Sequence, residues 1–92
     1  MRFAMFVIDN ESRSGTPEEM KAIDAFNEKM RAAGHWVMAF GLEAPGQDSL
    51  QTKEAFYSGM WLIEANDLST AQALANQAAI ACNRRVELRS FL

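Results

Sequence analysis

The chain has 92 residues, with 9 basic and 12 acidic side chains and a net charge of −3. This length predicts a single domain over residues 1–92, and the scattered cations of an acidic chain argue against a nucleic-acid partner. One cysteine excludes an internal disulfide and suits a cytoplasmic location. No segment approaches the roughly 18 apolar residues of a membrane span, so we expect no membrane partner.

The first predicted element is a strand over Arg2 to Ile8, an apolar run rich in Phe, Val and Ile. A helix is predicted over Pro17 to Ala33, with a proline at its first position. Thr16 precedes it, and Glu19 follows three residues later, which is the pattern of a capping box. Gly34 then supplies the left-handed residue that commonly ends a helix.

A second strand is predicted over His35 to Gly41, followed by a polar, glycine-containing loop over Leu42 to Lys53. A third strand is predicted over Tyr57 to Ala65. Asp67 can cap a second helix, and Arg84 to Phe91 alternates as a last strand. The apolar stripe of the second helix is built mostly of small residues: Ala71, Leu74, Ala75, Ala78 and Cys82.

The predicted element order is therefore β-α-β-β-α-β. Two interleaved β-α-β units with right-handed crossovers give a four-stranded antiparallel sheet with both helices on one face. The predicted fold class is α+β, specifically the ferredoxin-like plait.

Strands one to three are apolar on both sides, whereas a sheet with helices on one face only should be polar on the other. Alternation places Tyr57 with Trp61 on one face, and Trp36 with Met38 and Phe40 on one face. The last strand differs, because it carries three charged side chains on one face: Arg85, Glu87 and Arg89.

A monomer rarely exposes so large an apolar surface, so we expect a cover for the face without helices. A second copy related by two-fold symmetry is the simplest cover, which predicts a homodimer of the dimeric α+β barrel type. In the alternative, the segment Ser49 to Phe56 folds over that face.

Candidate site residues are few. His35 is the one histidine, and such a residue beside an aromatic strand is more often structural than catalytic. We select His35, Tyr57, Trp61 and Arg89 as candidate binding residues, with the aromatic rings as walls for a flat ligand. Cys82, on the apolar stripe, is read as a buried small side chain.

Cofactor motifs are not apparent in the sequence. Gly41 and Gly46 match neither phosphate-binding fingerprint, and no spacing of His, Asp or Glu suggests a metal ligand set. We therefore expect neither a metal nor a cofactor.

Several stretches together resemble the YCII-related family, in particular its DGPF-domain branch. They cover much of the chain: Ala25 to Gly34, Gly41 to Pro45, Thr52 to Glu54, Gly59 to Asp67 and Val86 to Arg89. The resemblance implies a ferredoxin-like α+β fold that dimerises. Some relatives are thought to be small enzymes built around a His–Asp pair.

This chain departs from that family pattern at the residues that would carry the chemistry. The family's histidine falls near Ile23, and its aspartate falls near Gln77 or Ala78. The short segment Gln47 to Gln51 replaces the loop that names the DGPF branch. His35 does not match the family's histidine.

Three functional hypotheses follow. The first is a dimeric domain that binds a small, partly apolar metabolite in a cleft between sheet, helix and partner. The second is a small cofactor-free enzyme of the lyase or isomerase type, in which His35 acts as acid or base on a ring-shaped metabolite. The third is a regulatory module that binds another protein.

Overall fold

The computed structural model describes residues 1–10, 15–46 and 55–92. Its elements are four strands and two helices in the predicted order: β1 (Arg2–Asp9), α1 (Pro17–Ala33), β2 (Trp36–Gly41), β3 (Phe56–Glu64), α2 (Leu68–Cys82) and β4 (Arg85–Ser90). The strands form one antiparallel sheet in the order β2-β3-β1-β4. This is the α+β ferredoxin-like plait that the sequence predicts.

Helix α1 begins and ends where its local sequence predicts. The Thr16 hydroxyl accepts a hydrogen bond from the Glu19 amide, and the Glu19 carboxylate accepts one from the Thr16 amide. These two bonds satisfy amides that have no partner within the helix. At the other end, Gly34 has φ 81°, a conformation that glycine adopts without steric cost.

Helix α2 is capped by Asp67, whose Oδ1 accepts a 2.7 Å hydrogen bond from the Thr70 amide. Asn83 ends the helix with φ 54°. The apolar stripe of α2 consists mostly of small residues, which lets the helix lie close to the sheet. The predicted stripe is buried throughout: Ala71, Leu74, Ala75, Ala78 and Cys82.

The core lies between the two helices and one face of the sheet. Its largest fully buried side chains are Phe3 and Met5 from β1, Ile63 from β3 and Met30 from α1. Strand alternation therefore directs every second side chain of β1 into the core and leaves the others on the second face, against which neither α1 nor α2 packs.

Two register shifts correct the predicted facing of Tyr57 and Trp36. Between β1 and β3 the pairing passes from Val7–Gly59 to Ile8–Tyr57, so Ser58 is an extra residue and Tyr57 joins the face opposite to Trp61. Placing Tyr57 and Trp61 on one face was therefore wrong.

The second shift lies between β2 and β3, where the pairing passes from Trp36–Ile63 to Met38–Leu62. The extra residue here is Val37, and it separates the facing of Trp36 from that of Met38. Trp36 packs against the core, so placing it on the face of Met38 and Phe40 was also wrong.

The predicted loop over Leu42 to Lys53 is only partly described. Residues 42–46 have no regular secondary structure. The alternative in which Ser49 to Phe56 covers the sheet, and the segment Gln47 to Gln51, lie wholly or largely outside the described residues.

Candidate functional site

The sheet face opposite α1 and α2 is largely apolar, and we call it the open face. It carries side chains from all four strands, set by the pairing register: Ala4, Phe6, Ile8, Met38, Phe40, Tyr57, Met60, Leu62, Arg85, Glu87 and Arg89. Met38 and Phe40 on β2 are 47% and 45% exposed. The apolar side chains concentrate towards β2 and three charged ones lie on β4, while Arg2 of β1 and Glu64 of β3 form an ion pair at one end of this face.

A polar cluster lies beside these apolar side chains. The Tyr57 hydroxyl donates a 2.8 Å hydrogen bond to Glu87 Oε2, and Arg89 Nε donates a 2.9 Å hydrogen bond to the same oxygen. The Tyr57 ring stacks on Phe6, with centroids 4.6 Å apart and an interplanar angle of 28°. A flat aromatic surface and a charged hydrogen-bonding group thus lie side by side.

The contacts of the cluster shift the acid–base behaviour of its members. The hydrogen bond to Glu87 raises the pKa of Tyr57, because the carboxylate favours the protonated phenol. The same hydrogen bond, with that from Arg89, lowers the pKa of Glu87. At neutral pH the cluster therefore contains a neutral phenol, a carboxylate and a guanidinium.

Of the four candidate residues, the structure brings together Tyr57 and Arg89. Trp61 lies in the core, where its ring meets Phe26 edge to face and its Nε1 donates a 2.7 Å hydrogen bond to Asn27 Oδ1.

His35 lies apart from the other three, just before β2. Its Nδ1 is 2.9 Å from the main-chain oxygen of Glu64, and its own main-chain oxygen accepts a hydrogen bond from the Glu64 amide. This double contact ties the start of β2 to the end of β3.

An ion cluster that the sequence did not predict joins β1 and α1 to the turn between α2 and β4. Arg84 Nε is 2.9 Å from Asp9 Oδ2, and Arg84 Nη1 is 3.1 Å from Glu19 Oε1. The Arg84 and Glu19 side chains are each 16% exposed. Asp9 and Glu19 lie 75 and 65 residues from Arg84 along the chain. At such separations no spacing pattern in the sequence indicates that the side chains meet.

Glu19 and the nearby Cys82 both have shifted pKa values. The hydrogen bond from the Thr16 amide lowers the pKa of Glu19, and Arg84 lowers it further. Burial raises the pKa of the Cys82 thiol, and that residue is 3% exposed, as predicted for a small buried side chain.

Metal ligands are not grouped in the part of the chain that the structure describes. Across residues 1–10, 15–46 and 55–92, no three His, Cys, Asp or Glu side chains lie close enough together to hold an ion. Neither α1 nor α2 combines the length and apolar character needed to cross a lipid bilayer.

A sequence model of the YCII-related domain matches residues 1–89. The chain belongs to the YCII-related family. This match confirms the resemblance that the sequence stretches indicate. No significant match was found among curated protein sequences.

A solved structure has the same fold as this YCII-related chain. It is 5-chloro-2-hydroxyhydroquinone dehydrochlorinase (TftG) from Burkholderia phenoliruptrix AC1100, in complex with 2,5-dihydroxybenzoquinone. The TM-score is 0.62 and the sequence identity is 12%, over 100% of this chain and 94% of that one. At this identity the likeness supports the fold of the YCII-related chain and no more.

Proposed function

We propose that residues 1–92 form a single cytoplasmic domain that acts as a homodimer and binds a small, partly apolar, ring-shaped metabolite at the open face. The observation that carries this proposal is the Tyr57–Glu87–Arg89 cluster beside the stacked Phe6 ring. It combines a flat apolar surface with charged hydrogen-bonding groups, which is how proteins bind small rings with polar substituents.

The exposed apolar side chains of the open face support the dimer. Met38 and Phe40 are each more than 40% exposed, and burying such side chains releases about 25 cal/mol per Å² of apolar area. A second copy offers the same surface by two-fold symmetry. The charged side chains of β4 would then form the rim, where solvent remains.

The chemistry of the cluster supports a ligand that bears oxygen atoms. The Arg89 side chain is 66% exposed, so its guanidinium is accessible to an oxo or hydroxyl group on a ring. The TftG structure, which has this fold, holds a dihydroxylated quinone. We transfer from it the class of ligand and not the reaction.

Binding fits the residues better than catalysis does. By the resemblance, the family's histidine falls near Ile23 and its aspartate near Gln77 or Ala78, and these side chains do not exchange protons. His35 is engaged with main-chain Glu64. Catalysis by His35 and a regulatory role stay hypotheses.

The dimer is tested by light scattering after size-exclusion chromatography. We expect the unaltered chain to be a dimer and Phe40→Asp to be a monomer, because the charge would lie in the interface. Ile80→Asp is the matched control, since Ile80 is 81% exposed on α2, away from the open face. A monomeric unaltered chain, or equal behaviour of the two variants, would contradict the dimer.

The ligand is tested with 2,5-dihydroxybenzoquinone as the probe, titrated into the protein and followed by amide chemical shifts. We expect Arg89→Ala to weaken binding by roughly tenfold, the effect of losing one charge-assisted hydrogen bond. Arg31→Ala is the control, because Arg31 lies on α1 and pairs with Glu28. Absence of binding, or equal affinities for both variants, would contradict the site.

A further inference from the structure

The open face carries more positive than negative side chains among the residues that the structure describes. The strand register places on it the guanidinium groups of Arg2, Arg85 and Arg89 and the carboxylates of Glu64 and Glu87. Arg2 and Glu64 pair with each other at one end of the face. The β4 side is therefore left with two guanidinium groups and one carboxylate, on a chain whose net charge is −3.

Arg85 supplies this positive excess. Across residues 1–10, 15–46 and 55–92, no carboxylate lies within ion-pair distance of its guanidinium, and its side chain is exposed. Arg89, in contrast, pairs with Glu87 at 2.9 Å. A guanidinium does not lose its proton in proteins, so Arg85 is a permanent cation that no described side chain neutralises.

The register brings Arg85 beside the stacked rings of the open face. Arg85 pairs with Ile8, and Ile8 pairs with Tyr57, so these three side chains form one row across the sheet. Phe6 and Glu87 form part of the next row. The Tyr57 side chain reaches into that row, because its ring stacks on Phe6 and its hydroxyl meets Glu87.

Two guanidinium groups thus flank the aromatic surface. Arg85 and Arg89 lie on either side of Glu87 along β4, with Cα atoms roughly 13 Å apart at about 3.3 Å per residue. A flat ring placed on Phe6 and Tyr57 would have one guanidinium towards each end. Guanidinium groups bind oxyanions through charge-assisted and often paired hydrogen bonds, so ionised oxygens on that ring would find a partner at both ends.

We propose that the open face binds its ring-shaped ligand as an anion, a hydroxylated ring with ionised oxygens, and that Arg85 is a binding residue together with Arg89. This inference rests on the proposed function and adds to it the charge of the ligand. Glu87 has two opposite effects in such a site. It positions Tyr57 and Arg89 through its hydrogen bonds, whereas its charge repels an anion.

An uncharged ring is the alternative ligand. It could stack on Phe6 and Tyr57 as an anion does, because stacking does not require a net charge. It would leave Arg85 without a counter-charge and would be indifferent to the sign of the field at this face. An anion is attracted by that field before contact and is held by it afterwards, so the charges of β4 favour the anion.

The test compares two probes that share one ring. 2,5-Dihydroxybenzoquinone has acidic hydroxyls that are ionised at neutral pH, whereas 2,5-dimethoxybenzoquinone has the same four oxygens and no charge. Each is titrated into the unaltered chain at low and at high salt and followed by amide chemical shifts. We expect the anion to bind about tenfold more tightly at low salt. The preference should shrink at high salt, because exposed charges are screened.

Removing the Arg85 cation should weaken binding of the anion alone. We expect Arg85→Gln to weaken binding of 2,5-dihydroxybenzoquinone by roughly tenfold and to leave the affinity for the dimethoxy compound unchanged. Lys21→Gln is the matched control, since it removes the same charge from an exposed residue on α1, away from the open face. It should bind both probes as the unaltered chain does.

Removing the Glu87 charge should have the opposite effect. Glu87→Gln keeps an oxygen that accepts hydrogen bonds from Tyr57 and Arg89 and takes away the repelling charge. We expect it to tighten binding of 2,5-dihydroxybenzoquinone by about fivefold. A purely structural role of Glu87 predicts weaker binding instead, so the direction of the change distinguishes the two.

The outcomes separate this inference from the proposed function. If the dimethoxy compound binds as tightly as the anion or more tightly, the ring site stands and selection of an anion is wrong. Equal effects of Arg85→Gln and Lys21→Gln, or weaker binding of the anion by Glu87→Gln, would overturn the selection in the same way. If neither probe binds to the unaltered chain, the proposed ligand site and the selection both fail.

Discussion

The hydroxyl of Tyr57 on β3 lies 2.8 Å from the Glu87 carboxylate on β4, so the hydrogen bond crosses the intervening strand β1. The Phe6 ring of β1 stacks against the Tyr57 ring beneath this bond. The hydrogen bond and the ring stack together link three strands on the open face through the Tyr57 side chain. This contact makes the behaviour of Tyr57 a direct report on the candidate binding site.

Tyr57 should lose its proton at a higher pH than an ordinary tyrosine does. It is the one tyrosine of the chain, so its phenolate absorbance can be titrated alone. Glu87 raises its pKa, and Glu87→Gln should move that pKa down towards the ordinary value of about 10. A raised pKa means that this contribution to stability is present below the unfolded-state pKa and is lost as the pH rises through the folded-state pKa.

The Tyr57 prediction has a clear control in Glu64→Gln, since Glu64 is a carboxylate that pairs with Arg2 at the far end of the sheet. That variant should leave the Tyr57 titration where it is. A Tyr57 pKa that is the same with Gln at position 87 would show that the hydrogen bond does not form in solution.

Arg84→Met should lower the urea midpoint at neutral pH, because it leaves the poorly exposed Asp9 and Glu19 carboxylates without this cation. The pKa of Glu19 is lowered in the folded protein, so its contribution is present above the unfolded-state pKa and is lost as the pH falls through the folded-state pKa. The difference between unaltered chain and variant should therefore shrink in acid.

Arg2→Met provides the comparison for Arg84, because Arg2 and Glu64 are about half exposed and such surface pairs contribute little. Its urea midpoint should change much less at neutral pH. Equal midpoints for Arg2→Met and Arg84→Met would mean that the Arg84 cluster is no stronger than a surface pair.

Thr16→Ala should destabilise the protein by about 1 kcal/mol, the usual cost of removing a hydroxyl cap. The hydroxyl accepts the Glu19 amide at 3.2 Å, and alanine offers no acceptor. Thr16→Ser keeps the acceptor and should stay close to the unaltered chain in urea unfolding. If serine and alanine destabilised equally, the cap would not be the cause.

Cys82 should react with a thiol reagent only when the fold opens. It is the one cysteine, it is 3% exposed, and burial raises its pKa, which lowers the fraction of reactive thiolate. The rate should be slow in buffer and rise with urea in step with unfolding measured by circular dichroism. Fast labelling of the folded protein would show a local opening near the end of α2.

Local interactions explain why the helices could be predicted closely. The boundaries of α1 follow from Thr16, Glu19 and Gly34, which lie within a few residues of the groups that they satisfy. The buried stripe of α2 follows from its helical spacing in the same way. The element order and the apolar character of both sheet faces could be predicted for the same reason, since each is a pattern within one segment.

The candidate site could be predicted only in part. Tyr57 and Arg89 were selected from the sequence one by one, whereas their meeting through Glu87 depends on the pairing of β1 with both β3 and β4. The alternation rule failed for Tyr57 and Trp36, because one extra residue in a strand reverses the facing of those beyond it.

Patterns within single segments were enough to predict where α1 begins and ends, where α2 begins, which strands are apolar, and the element order of a plait. Which segments meet depends on the folded chain, as in the contact of Arg84 with Asp9 and Glu19. The two kinds of feature differ in the range of the interactions that produce them. Caps and periodicity act over a few residues, whereas strand register and ion pairs join residues far apart and depend on the packing of the whole chain.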